Sequence, residues 1–247
     1  MRKIYPKKGE LTTQQLVTII ILITSFVIVL FLFYRLNLGE TTDKEICHNS
    51  VVLQEQSQLT SGNLDCRTNY LCISGGSKCT DINQKTEISV DPTNKTQIFK
   101  ALADEMSDCW WQFGEGKINY GDKALFEVDA QYALCSIMVF DDKVHEKLPE
   151  IKYLDFYNYL RTTPKTESQT YLQYLYGVTD LSQIPATYTI AMNVASDRFD
   201  TSKAYTVITG IKNNPSPIDD VKLKVYIIPT SETESRLVAN KIFITKA

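Results

Sequence analysis

Residues 16–34 read LVTIIILITSFVIVLFLFY. The run carries no charge, and only Thr18, Thr24 and Ser25 interrupt its apolar side chains. As a helix it would rise about 28 Å at roughly 1.5 Å per residue, close to the ~30 Å hydrocarbon thickness of a bilayer. A lone span in lipid must satisfy its own backbone hydrogen bonds, which leaves a helix as the one workable form. The stretch therefore predicts a transmembrane helix, and the chain after it is a separate folding problem.

Charge assigns the sides. The 247 residues hold 26 basic and 29 acidic side chains. Four of the bases (Arg2, Lys3, Lys7, Lys8) and one acid (Glu10) precede residue 35, leaving 22 against 28 and a formal charge of −6 on the remainder. The positive-inside rule then puts residues 1–15 in the cytoplasm as a basic leader and everything past the span outside. A mildly acidic domain also lacks the basic footprint of a nucleic-acid binder. All six cysteines, Cys47, Cys66, Cys72, Cys79, Cys109 and Cys135, follow the span. An even count in an oxidising compartment reads as disulfides. Asn94-Lys95-Thr96 is an N-glycosylation sequon, permissible on that side of the membrane.

The segment Lys7-Lys8-Gly9-Glu10-Leu11-Thr12-Thr13-Gln14-Gln15-Leu16 leads into the apolar run. It resembles the class III signal of archaeal type IV pilins and related surface proteins. That pattern is a basic pair, a glycine, a polar residue, a hydroxyl residue, an acid about five places on, and an apolar helix. The resemblance implies cleavage by a membrane peptidase between Gly9 and Glu10, with signal-processing roles for Lys7, Lys8, Gly9 and Glu10. It also implies a retained helix that packs with copies of itself. Gln14 stands where the family has its acid; it can hydrogen-bond a neighbour's new ammonium but cannot neutralise it. Without the resemblance, the same segment reads as an uncleaved signal anchor. Gln14, Thr18 and Ser25 lie four and seven residues apart and share one helix face, a candidate stripe for helix association.

Residues 35–60 are polar with a weak apolar rhythm, expected as a stalk or linker or as the first turns of the domain. His48 beside Cys47 has no further ligand at metal-site spacing. Residues 61–80 pack Cys66, Cys72 and Cys79 around Gly75-Gly76 and read as a disulfide-pinned loop. One of those three must pair outside the cluster or stay free. The spacing of Ile98, Leu102, Met106, Cys109 or Trp110, and Phe113 predicts a helix over 94–116, capped by Asn94 or Thr96 and ended by Gly114. Cys109-Trp110-Trp111 is similar to the Cys-Trp of papain-type nucleophiles, but Ser107-Asp108 replace the preceding glycine context. The thiol would also sit at the negative end of its helix. Residues 124–140 read as a half-buried strand, and a Cys109–Cys135 bridge would staple it to that helix.

Asp141-Asp142 and Pro149 look like helix starts, Thr163-Pro164 a stop, and Tyr171 to Tyr176 a short helix ended by Gly177. From Ile184 the period becomes two, with strands expected at 186–195, 204–212, 221–229 and 236–246. The expected fold is α+β: an N-terminal transmembrane helix (16–34), a Cys-containing α+β region (61–182), and a C-terminal antiparallel sheet or sandwich (183–247). No catalytic, metal or cofactor motif appears, so the reading is not an enzyme. The expected partners are the membrane and copies of the chain or other envelope proteins, through the span, and not nucleic acid.

Overall fold

The computed structural model describes residues 13–35, 43–57, 64–80, 86–121, 128–183, 197–212, 222–237, 239 and 241–246. It divides into two units, residues 1–42 and 43–247. The first contains helix α1 (Thr13–Arg35). Its 23 residues cover the quoted apolar run and extend three residues before it.

The second unit is built on a strand that runs through its centre. β3 (Ala130–Phe140) is buried along nearly its whole length, so a clean period-two alternation is absent. On one side it pairs antiparallel with β6 (Tyr205–Lys212), which pairs antiparallel with β7 (Lys222–Pro229). On the other side it pairs parallel with β1 (Asn69–Ser74), and β1 pairs parallel with β2 (Thr86–Ser89). β8 (Lys241–Phe243) lies parallel to the first residues of β3, and Lys246 bridges Arg67 just before β1 begins. The sheet is therefore mixed and six-stranded, in the order β2-β1-β3-β6-β7 with β8 beside β3.

This differs from a separate C-terminal antiparallel sheet or sandwich. The α+β class and the strands at 204–212 and 221–229 are present, but they join a sheet begun before residue 75. The β3–β6 ladder crosses the expected 182/183 division along its whole length. The expected strand at 236–246 is divided between helix α7 (Thr233–Arg236) and β8. The strand expected at 186–195 lies outside the described residues. Residues Asp43–Ser57, expected as a stalk, a linker or the first turns of the domain, form α2 within the second unit.

The helices pack on the sheet as their sequences direct. In α3 (Lys95–Gln112) the Asn94 side chain accepts the Thr96 N–H as N-cap. Ile98, Leu102, Met106, Cys109 and Trp110 are all buried. α3 packs on β3, β6 and β7; α5 (Tyr153–Thr162) and α6 (Tyr171–Tyr176) lie against it; α2 lies on it too. α6 opens with a capping box from Thr170 and Gln173. It closes at Gly177, whose φ of 72° is the left-handed conformation that costs glycine least. Pro149 begins not a helix but β4 (Glu150–Lys152), which pairs with β5 (Arg198–Asp200) in a second, two-stranded sheet. Gly210 answers a close approach: a Cβ there would stand 2.6 Å from the Gln131 carbonyl oxygen of β3.

Candidate functional site

α1 is the first candidate. Its described side chains, Gln14–Val29 and Phe31, are all exposed. Ile21 keeps 61% of its area and Leu22 and Phe26 keep 62% each. Among the described residues no helix is long and apolar enough to cross a membrane. Thr18 Oγ1 donates to the Gln14 carbonyl at 2.9 Å, and Ser25 Oγ to Leu22 at 2.9 Å. Gln14, Thr18 and Ser25 are thus exposed together, with both hydroxyl protons on their own helix and the oxygens left as acceptors. Lys7, Lys8, Gly9 and Glu10 lie outside the described residues.

Every cysteine is consumed. Cys47 pairs with Cys66, Cys72 with Cys79 and Cys109 with Cys135. The Cys109–Cys135 bridge suggested as a staple between helix and strand is present. Cys135 occupies a register shift between Leu134 and Ser136, the kind of bulge that re-aims one side chain out of the alternation. Cys66 is the member of the 61–80 cluster that pairs outside it, tying α2 to the segment before β1. Cys109 therefore carries no thiol, and a papain-like role at it is ruled out.

The two histidines of the chain both have structural partners. His48 stacks on Trp111 with ring centroids 4.1 Å apart, and its Nδ1 meets the Trp111 carbonyl at 2.8 Å. His145 Nδ1 lies 3.0 Å from Thr201 Oγ1, but that hydroxyl faces the carbonyls of Leu148 and Pro149 at 2.8 and 3.1 Å. Its proton is committed to a carbonyl, so the pair is a joint between β4 and β5 rather than an activated nucleophile. No group of three or more His, Cys, Asp or Glu among the described residues could hold a metal ion.

Two polar clusters were not foreseen. Asp141 is 1% exposed and caps α4 (Asp142–Lys147) through Oδ1, which accepts the Val144 N–H at 2.9 Å. Its Oδ2 accepts the Ser77 N–H at 2.6 Å and lies 3.2 Å from Ser74 Oγ. Burial pushes this carboxyl up, but the N–H groups of Val144, Gly75 and Ser77 with the Ser74 hydroxyl outweigh it and hold it below the usual carboxylate range. The glycine pair and the Asp-Asp start were visible in sequence; their meeting across 67 residues was not. The second cluster joins α2 to α3: Lys44 Nζ lies 2.9 Å from Glu105 Oε1 and 2.6 Å from Asp108 Oδ2. Burial raises the Glu105 carboxyl, and Lys44 draws it only partly back.

Tyrosines supply the remaining polar chemistry, and it is structural. Tyr153 Oη donates to the Ile227 carbonyl at 2.9 Å and Tyr176 Oη to Val225 at 2.8 Å. Tyr157 Oη lies 3.1 Å from Tyr176 Oη, and burial pushes its phenol up to about 12. All three rings are interior, as tyrosines serving a core rather than a ligand surface would be. No family model, curated protein or solved structure matches this chain.

Proposed function

We propose that the chain is a single-pass membrane-anchored protein with its main domain outside the cell, serving as a pilin-like subunit of an archaeal surface filament or envelope assembly. One observation carries the reading: a single chain joins a helix with an uncharged apolar run, residues 16–34, to a domain whose six cysteines all form disulfides. Exposed leucine, isoleucine and phenylalanine along one helix need an apolar surrounding, and lipid supplies it. Three cystines need an oxidising compartment, and the outside supplies that. The quoted run continues uncharged to Tyr34, which brings it to spanning length. The domain then contacts other envelope proteins, and no catalytic role is assigned to it.

A second reading has its own support. The Thr18 and Ser25 hydroxyls donate to their own backbone, as they do in a helix that stands alone in lipid. On this reading the protein is a monomeric signal-anchored binding domain without a filament role. Sequencing the N-terminus of the mature protein separates the two. A start at Glu10 is the expected result for pilin-type processing; a start at Met1 selects the anchor. Replacing Thr18 and Ser25 with Leu is expected to lower crosslinking between copies, and an unchanged yield removes the stripe from any assembly role.

A further inference from the structure

We propose that Asn94 is the acceptor of an N-linked glycan, transferred from a lipid-linked oligosaccharide phosphate donor. The proposal rests on the external placement of the domain. Asn94-Lys95-Thr96 is the only Asn-x-Ser/Thr in the 247 residues whose middle residue is not proline; Asn214-Pro215-Ser216 is the excluded one.

The fold presents this triplet in a reactive form. Asn94, Lys95 and Thr96 are all exposed. As N-cap of α3, Asn94 uses Oδ1 alone, which accepts the Thr96 N–H at 3.0 Å. Neither Asn94 Nδ2 nor Thr96 Oγ1 has a hydrogen-bond partner among the described residues. The cap therefore occupies one end of the carboxamide and leaves the other end, the nitrogen that takes the sugar, facing solvent. Lys95 reaches sideways towards Asp155 of α5, 3.7 Å away. The preceding turn is pinned without help from the Asn94 side chain: Asp91 Oδ1 accepts the Thr93 N–H and hydroxyl at 2.9 and 2.8 Å, and the Asp91 N–H donates to Gln97 Oε1 at 2.7 Å.

In the transfer, Asn94 Nδ2 forms a bond to the anomeric carbon of the donor sugar. The carbon–oxygen bond to the lipid phosphate breaks, its electron pair leaves with the phosphate, and the amide gives up one proton. No electron donor or acceptor is needed. The product is still an amide with a carbonyl oxygen, so the cap on α3 survives and modification does not require unfolding.

The test is the intact mass of the full chain, and of its fragment containing Asn94, from membranes of the native host. The wild type and Thr96→Ser are expected to exceed the sequence mass by whole sugar residues at Asn94. Asn94→Asp and Thr96→Ala are expected at sequence mass with the wild-type melting temperature, because each keeps an oxygen at the cap. A wild-type fragment at sequence mass overturns the proposal. A membrane-impermeant amine label on intact cells then locates the failure. Labelled domain lysines with bare Asn94 reject the glycan site alone; unlabelled lysines reject the external placement and the site with it.

Discussion

Asp141 and Lys44 show how much of this fold rests on single charged side chains. The Asp141 carboxylate serves α4 and the Gly75-Gly76 turn at once, so its removal frees buried N–H groups on both. Asp141→Ala is expected to cost about 1–3 kcal/mol at neutral pH, read by urea unfolding. The pH dependence follows from a carboxyl held below its unfolded value. Its stabilisation is fully present above the unfolded pKa of ~3.9 and is lost as pH falls through the lower, folded value. The wild type should therefore lose more stability than Asp141→Ala between pH 5 and pH 2, and parallel curves would show that the carboxylate is not the cause. Lys44→Met leaves Glu105, buried on α3, without its cation. With Lys44 partly exposed, the expected loss is on the order of 2 kcal/mol. Adding Glu105→Leu should recover most of it, since no buried charge then remains to be paired and the Asp108 carboxylate is exposed to water.

At the scale of elements, β7 lies at an edge of the sheet among the described residues, and tyrosines from the helical layer cover it. Tyr153 of α5 and Tyr176 of α6 take the carbonyls of alternate β7 residues, Ile227 and Val225. The hydrogen bonds answer two needs together: buried phenols find acceptors, and an edge strand loses free carbonyls that would template another strand. Tyr176→Phe is expected to destabilise by about 1 kcal/mol and to raise the rate of aggregation on mild heating, measured by light scattering. The Cys109–Cys135 staple joins α3 to β3 across 26 residues. Replacing both with Ala is expected to cost about 3 kcal/mol in the chain-entropy account. A change below ~1 kcal/mol would mean that α3 and β3 are already held together by packing.

For the whole molecule, residues 43–247 form one unit with its own core, reached by the chain through α2. A chain starting at Asp43 is expected to fold with three cystines and a cooperative thermal transition. It should no longer sediment with membranes. A shortened chain that folds yet still sediments would place membrane affinity in the domain instead of in residues 16–34.

Elements whose cause is local could be read directly from the sequence. The apolar run of α1, the 3.6-residue rhythm and Asn94 cap of α3, and the Gly177 stop of α6 each lie within a turn or two of the residues that dictate them. Even Cys109–Cys135 was within reach as one pairing among several, because it would staple a helix to the next long strand. β1 was not: residues 71–74 are buried on both faces, while the cysteines and glycines around them speak for a loop. Ile151 fell to β4 because β5, some 48 residues on, offered it a partner that no nearby residue announces. Sequence by itself determined the apolar helix α1, the helices α3 and α6, and the oxidised character of the domain. Tertiary structure alone decided the parallel β1–β3 pairing, the sheet shared by both halves of the chain, and the Asp141 cradle, because each depends on which distant segments meet once the core closes.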